Sequence, residues 1–163
     1  MLWFDDAFQS VDQDGSTNQG GGDFFVHDGK LFFTTYNVNF DSEGNQTPNG
    51  ARIYTSRNGN DWELLMQGGF DDSNNFYISG ITSYLGDLYA LTANGTTGCE
   101  VWKSHTGEPD TWAQVNEDGF GYGLRYGESS NDTAQAIFSE NWYIAGFDYT
   151  EPRLAVVVKM SYP

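Results

Sequence analysis

Carboxylates, amides and aromatic rings are the side chains of this 163-residue sequence that could do chemistry. Asp12 and Asp14 precede a glycine in the pattern Asp-x-Asp-Gly, which resembles the first part of a calcium-binding loop. Such a loop has a bidentate Glu at its twelfth position, where Asp23 stands in this sequence. No motif in the sequence requires a cofactor. The cofactor that the sequence suggests is calcium, bound by Asp12 and Asp14. A turn that needs no ion explains the same residues.

Aromatic residues lie near carboxylates and amides in segments that we expect to be loops. A sugar ring offers an apolar face that stacks on an aromatic side chain, and hydroxyls that need hydrogen-bond partners. The same combination is typical of polar protein interfaces. The candidate ligand-binding residues are Tyr36, Asp72, Asn74, Tyr122, Arg125, Tyr126, Glu128, Asn131 and Tyr149.

Carboxylates for glycoside hydrolysis are available, but the sequence does not pair them. Glu128 could act with Asp72 or Asp148, yet the sequence gives no separation between these groups. It also contains no spacing typical of a Ser-His-Asp triad or a metal centre. We therefore assign no catalytic residue and prefer a noncatalytic role.

The composition excludes several classes of partner. Asp and Glu total 23 against 7 Lys and Arg, which gives a formal net charge of -16. Such a chain repels phosphate groups and anionic lipids, so we expect neither nucleic acid nor membrane as a partner. Cys99 is the single cysteine, which excludes an intramolecular disulfide. The sequence contains no signal peptide, and strong acidity also fits an extracellular protein; we expect a soluble chain of undefined compartment.

An internal repeat organises the chain. Residues 29–33, 86–90 and 140–144 read Gly-Lys-Leu-Phe-Phe, Gly-Asp-Leu-Tyr-Ala and Glu-Asn-Trp-Tyr-Ile. A period of roughly 50 residues built from short strands is typical of propeller blades. Each copy predicts a hairpin, with turns at Asp28-Gly29, at Gly86-Asp87 and near residues 139–141. A third strand follows each hairpin, and Trp62 and Trp112 open a fourth strand in the first two copies.

The segment before Trp62 carries a recognisable turn motif. Residues 56–62 read Ser-Arg-Asn-Gly-Asn-Asp-Trp, which resembles the Asp-box of sialidase-like β-propellers, and residues 104–112 resemble a degenerate second copy. The resemblance implies turns in which an Asn or Asp accepts backbone N–H groups, Gly supplies an unusual φ and Trp packs inward. It does not extend to the sialidase catalytic site. The structural residues that it implies are Ser56, Asn58, Gly59, Trp62, Ser104, Gly107, Trp112 and Trp3.

These observations predict an all-β single domain, 1–163, with three propeller blades of four antiparallel strands. Blade A spans 24–70, blade B 77–120 and blade C 132–163. Blade C lacks a fourth strand, which strand 1–10 of a partner chain would supply. Because propellers close with more than three blades, we expect a homodimer that forms a six-bladed ring. A fragment of a longer propeller is the alternative.

The expected binding surface is the face formed by the blade-to-blade loops and the loops between second and third strands. Each blade-to-blade loop contains a polar triplet, at residues 17–19, 73–75 and 130–132. The triplets either contact a ligand or cap the next strand. We predict a noncatalytic, lectin-like propeller that binds carbohydrate. The alternatives are a structural or adhesion module that binds protein, and a glycoside hydrolase of the sialidase-like type.

Overall fold

The computed structural model describes residues 18–121, 134–138, 141–147 and 155–160, and these residues form an all-β chain, as predicted. The strands are β1 (Asn18–His27), β2 (Lys30–Phe40), β3 (Gln46–Pro48), β4 (Ile53–Ser56), β5 (Glu63–Met66), β6 (Asn75–Tyr84), β7 (Asp87–Asn94), β8 (Val101–Ser104), β9 (Ala113–Gln114), β10 (Ala134–Phe138), β11 (Asn141–Phe147) and β12 (Ala155–Met160). Two short 3-10 helices span Pro109–Thr111 and Asp118–Gly121. Within these ranges, no helix has the length and apolar character needed to cross a membrane.

The strands form three antiparallel sets with the same internal order. The first set is β1-β2-β4-β5, the second is β6-β7-β8-β9 and the third is β10-β11-β12. The first two sets join through one pair, Tyr36 with Tyr77, between β2 and β6. The repeat of the sequence is therefore a repeat of strand order. The number of blades and their pairing with a second chain stay predictions.

Two tight turns close the first two hairpins. Asp28 and Gly29 have φ of 47° and 69°, so they form the predicted two-residue turn between β1 and β2. The second turn is Leu85-Gly86, with φ of 53° and 88°, and Tyr84 pairs with Asp87. The prediction of Gly86-Asp87 was wrong by one residue. Its basis was the preference for Asp or Gly at positive φ, and the pairing of the strands here forces Leu85 into that region instead.

The first two sets begin earlier than the predicted blades, at Asn18 and Asn75. A run of three glycines delayed the predicted start of the first blade, because glycine disfavours strands. A Cβ atom at Gly22 would lie 2.4 Å from the carbonyl oxygen of Ile78, so glycine permits the close approach of β1 to β6. Residues 37–50 include the end of β2 and the strand β3, which pairs with it.

The main core lies between the first and second sets. Phe32 and Ile53 of the first set meet Ile81 and Leu88 of the second, and all four side chains are buried. Burying each such side chain stabilises the fold by about 1.5–3 kcal/mol. The other face of the second set holds a separate buried cluster of Tyr84, Tyr89, Leu91, Cys99 and Val101. Burial raises the pKa of the Cys99 thiol to about 11, so the thiol stays protonated at neutral pH and packs as an apolar group.

Candidate functional site

Three of the candidate ligand-binding residues lie in the described part of the chain: Tyr36, Asp72 and Asn74. Tyr36 lies within β2, so its predicted position in a loop was wrong. Asp72 and Asn74 lie in the loop that precedes β6. The other candidates fall outside the described residues: Asp12, Asp14, Trp3, Tyr122, Arg125, Tyr126, Glu128, Asn131 and Tyr149.

The loop before β6 and the loop after β7 meet at one end of the second set. The Oδ1 atom of Asp72 accepts hydrogen bonds from the backbone N–H and the Nδ2 atom of Asn74, each at 2.9 Å. Its Oδ2 atom accepts one from Nδ2 of Asn94 at 2.9 Å. The Thr96 hydroxyl donates to Oδ1 of Asn74 at 3.3 Å. We call Asp72, Asn74, Asn94 and Thr96 the polar edge.

A buried amide supports the polar edge from below. Asn75 is fully buried, and its Nδ2 atom donates to the Gly69 carbonyl oxygen at 2.9 Å and to Oε2 of Glu100 at 2.7 Å. Its Oδ1 atom accepts from the Thr92 hydroxyl at 2.9 Å and from Nδ2 of Asn94 at 3.0 Å. Both donors and both acceptor positions of this amide are therefore used. Asn75 fixes the start of β6 against β7.

The position of Asn75 at the start of β6 also changes how the polar triplets at residues 17–19 and 73–75 align with each other. Asn18 pairs with Asn37 in the first set, and Asn75 pairs with Asn94 in the second. Asn75, and not the middle residue Asn74, is thus the structural counterpart of Asn18. The sequence triplets were aligned one residue out of register.

Glu100 is the buried carboxyl group that the sequence analysis missed. Its Oε2 atom accepts a hydrogen bond from Nε1 of Trp102 at 2.8 Å as well as the one from Asn75. Burial raises the pKa of Glu100; the two hydrogen bonds oppose this effect, and the charges of Asp118 and Asp72 add to it. A carboxyl group in an otherwise apolar strand start, between Cys99 and Val101, was the available signal.

Three aromatic rings lie at the junction of the first two sets. The ring of Tyr36 meets the rings of Phe76 and Tyr77 edge-on, with centroid distances of 5.7 and 5.8 Å. The Tyr36 hydroxyl donates to Oε1 of Gln46 at 2.8 Å, and burial raises the pKa of Tyr36. All three rings are half-buried. We call Tyr36, Phe76 and Tyr77 the aromatic cluster; β6 links it to the polar edge, because Phe76 follows the buried Asn75, which accepts a hydrogen bond from Asn94 of the polar edge.

The turn motifs lie at the opposite end of the strands. Ser56 Oγ accepts the backbone N–H of Gly59 at 2.9 Å, and Asn58 Oδ1 accepts those of Asn60 and Asp61, each at 2.9 Å. In the second copy, Ser104 Oγ accepts the N–H of Gly107 at 2.7 Å. Trp62 and Trp112 contact the rings of Phe33 and Phe70, respectively. These contacts hold the turns in shape; membership in the Asp-box family stays a prediction.

Metal binding is not visible among the residues that the structure describes. Within them, no group of three or more His, Cys, Asp or Glu side chains could hold a metal ion. Calcium at Asp12 and Asp14 lies outside this range and stays a prediction.

The fold is similar to that of several glycoside hydrolase structures. No protein-family model matches the chain, and no curated protein matches its sequence. GH43B of a Bacteroides ovatus xyloglucan locus superimposes with a TM-score of 0.55 and 13% identity, over 88% of this chain and 31% of that one. CoXyl43, a GH43 β-xylosidase/α-arabinofuranosidase from a compost metagenome, gives a TM-score of 0.53 and 12% identity, over 80% and 43%. RS223 β-xylosidase gives 0.51 and 10%, over 80% and 44%.

These similarities define the class of fold. At such low identity, the likeness shows a β-propeller arrangement of the strands and nothing about chemistry. The chain spans less than half the length of each of the three structures.

Proposed function

We propose that this chain is a noncatalytic carbohydrate-binding propeller unit whose site combines the polar edge with the aromatic cluster. The observation that carries the proposal is their adjacency at the start of β6. There, the half-buried rings of Phe76 and Tyr77 follow Asn74 and Asn75 along the chain, and Asn74 belongs to a row of amide, hydroxyl and carboxylate groups. A pyranose or furanose ring needs both features, a surface for its C–H groups and partners for its hydroxyls.

The charge of the site favours a neutral ligand. Asp72 lies at the polar edge, and the whole chain carries a net charge of -16. An anionic sugar such as sialic acid would be repelled unless cations faced it. The fold likeness to enzymes named for xylosidase and arabinofuranosidase activity is consistent with neutral sugars. We therefore expect neutral pentose-containing or hexose-containing oligosaccharides as ligands.

Calorimetric titration with xylotriose and with xyloglucan oligosaccharides, preceded by a glycan array, tests this function. Asn74→Ala removes a side chain of the polar edge and should weaken binding about tenfold or more, because one or two hydrogen bonds to the sugar are lost. Asn60→Ala is the matched control, since Asn60 lies in the turn between β4 and β5 at the other end of the strands. Absence of binding to any glycan, with or without calcium, would contradict the proposal and favour a protein-binding module.

A glycoside hydrolase is the second candidate, and Glu100 favours it. Its pKa is raised by burial, and the charge of Asp72 contributes. Glycoside hydrolysis uses two carboxyl groups, and the one that acts as the acid has a raised pKa. Glu100 is, however, only 5% exposed, and its Oε2 atom already accepts two hydrogen bonds. We therefore rank hydrolysis below binding.

Release of nitrophenol from nitrophenyl β-xylosides and nitrophenyl α-arabinofuranosides distinguishes hydrolysis from binding alone. On xylotriose, whose sugar leaving group needs a proton, a hydrolase that uses Glu100 as its acid would lose at least a hundredfold in rate in Glu100→Gln. No release by the wild-type chain, together with oligosaccharide binding, leaves recognition as the function.

A further inference from the structure

One face of the first strand set is apolar and partly exposed: Phe33 and Tyr54 on this face are buried, but the residues around them are not. The pairing of the strands places Phe24, Val26, Leu31 and Leu64 on the same side of this sheet, with Trp62 beside them. Phe24 is 50% exposed, Val26 65% and Leu64 40%. We call these five residues the open face. Such a contiguous apolar patch is typical of an interaction surface.

The second strand set shows what normally covers this face. The hairpin turns and strand pairs align Phe24 with Ile81 and Leu31 with Leu88. Ile81 and Leu88 are 1% and 0% exposed, because the opposite face of the first set packs on them. The covering side chains are Phe25, Phe32, Ile53 and Met66. By analogy with the second set, we expect the open face to be covered by another sheet that has the same strand order.

We propose that the third strand set of a second copy of this chain covers the open face. The β10-β11-β12 sheet repeats the order of β1-β2-β4, which supplies Phe25, Phe32 and Ile53 to the face that covers the second set. In a twofold dimer, each copy would give its third set to the other and receive one in return. Both open faces are buried by one symmetric arrangement. This inference is independent of the ligand proposed above.

The strong negative charge of the chain opposes the formation of this dimer. Two chains of net charge -16 repel each other, so apolar contact must outweigh the repulsion. Salt screens that repulsion and leaves the apolar contact unchanged or stronger. The dimer should therefore tighten as sodium chloride rises from about 0.05 to 0.5 M, which is opposite to the behaviour of an interface held by ion pairs.

Light scattering coupled to size exclusion, with the full chain at micromolar concentration, tests the proposal. The wild type should elute with twice the mass of one chain. Val26→Asp and Val26→Lys should each weaken the dimer about a hundredfold or more, because either charge would be buried without a partner. The lysine variant lowers the net negative charge, so its dissociation cannot result from general repulsion. Leu85→Asp, at the exposed hairpin turn, is the matched control and should stay dimeric.

Three results would overturn the inference. A monomeric wild type at high salt would show that no second copy covers the open face. Equal effects of Val26→Asp and Leu85→Asp would place the interface elsewhere. A stable dimer in both Val26 variants, with native circular dichroism, would also place the interface elsewhere. Retained circular dichroism in the dissociated variants confirms that dissociation, and not unfolding, is measured.

Discussion

The first and second strand sets share one backbone scaffold but carry opposite charges at the same place. The Thr35 hydroxyl accepts the backbone N–H of Arg52 at 2.9 Å, and the Thr92 hydroxyl accepts that of Glu100 at 3.1 Å. An arginine in one set thus stands where the other has a buried glutamate. The scaffold is set by main-chain hydrogen bonds, which tolerate either side chain. The repeat therefore determines the sheet, while the residues that differ between copies determine the site.

The asparagines at the ends of β2 and β7 sharpen this difference. Asn37 donates to the carbonyl oxygens of Asn49 and Gly50, at 3.1 and 2.8 Å, and closes its own loop. Asn94 instead donates to the Asp72 carboxylate and to Asn75. The same residue type acts locally in the first set and connects two loops in the second. The second set is consequently the better candidate for a ligand site.

The largest effect is expected from the apolar face that is covered in one set and open in the other. Leu88→Ala should cost about 2–5 kcal/mol of unfolding free energy, because it leaves a cavity between the first two sets. Leu31→Ala, at the matching position, should cost about 1 kcal/mol at low protein concentration, since Leu31 is half-buried. Urea denaturation of both variants measures the two values. Equal losses would mean that the two faces are equally covered in the monomer.

The next effect concerns the paired asparagines at the strand starts. Asn75→Ala should cost about 2–3 kcal/mol, because it leaves Glu100, Thr92 and Asn94 without their buried partner. Asn18→Ala should cost about 1 kcal/mol, since Asn18 is half-buried and its Nδ2 atom donates to the Tyr54 hydroxyl at 3.0 Å. Thermal unfolding of the two variants measures both losses of stability. A larger loss for Asn18→Ala would overturn the view that the second set holds the more demanding network.

A smaller effect is expected at the two turns between third and fourth strands. Asn58→Ala should cost about 1 kcal/mol, because the backbone N–H groups of Asn60 and Asp61 lose their acceptor. Thr106→Ala, in the second turn, should cost about 0.5 kcal/mol, since its hydroxyl accepts only one such bond, from Glu108 at 3.2 Å. Denaturant titration at neutral pH distinguishes them. If the threonine variant lost more, the degenerate turn would be the more important one.

The smallest expected effect is the pH dependence of the stability that Glu100 contributes. The pKa of Glu100 is raised in the folded state, so its proton stabilises the fold below the unfolded pKa of about 4.3. That contribution is lost as pH rises through the folded pKa. Glu100→Gln keeps an oxygen that accepts hydrogen bonds without a charge. Its stability relative to the wild type should therefore increase from pH 4 upward.

Glu108 provides the control of opposite sign. The hydrogen bond from Lys30 lowers the pKa of Glu108, so its ionised form stabilises the fold. Glu108→Gln should lose stability relative to the wild type as pH rises from the folded pKa to the unfolded pKa of about 4.3, and the difference should stay constant above that pH. Urea titrations of all three proteins between about pH 3 and 8 compare the slopes. A flat difference for Glu100→Gln would mean that its carboxyl group titrates normally.

The hairpins were readable from sequence, but their exact register was not. Asp28-Gly29 is a local signal, because both residues adopt positive φ at low cost. Leu85 carries no such signal, and only the pairing of β6 with β7 forces it into a turn. Similarly, glycine is unsuited to a strand by propensity, but Gly22 is required in β1 because β6 approaches the chain there. Local propensity failed where a neighbouring strand decided the conformation.

The candidate site was only partly predictable. Asp72 and Asn74 were identified because acidic and amide residues stand out in a loop, and the structure brings them to Thr96. Glu100 was missed although its position between Cys99 and Val101 was an available signal, because its burial depends on Asn75, which lies 25 positions away. Tyr36 was identified by residue type but misplaced, since its position in β2 depends on its pairing with Gly20 of β1 and Tyr77 of β6.

The sequence alone determined the all-β character, the threefold repeat, the absence of a disulfide and the strong negative charge, since each depends on residue type and order along the chain. Only the tertiary structure decided which loops meet, which carboxyl group is buried and which apolar face stays open. Those properties depend on contacts between residues far apart in sequence. Asn75 and Glu100 form a hydrogen bond across 25 positions, and Phe32 reaches Leu88 only because one sheet packs on the next.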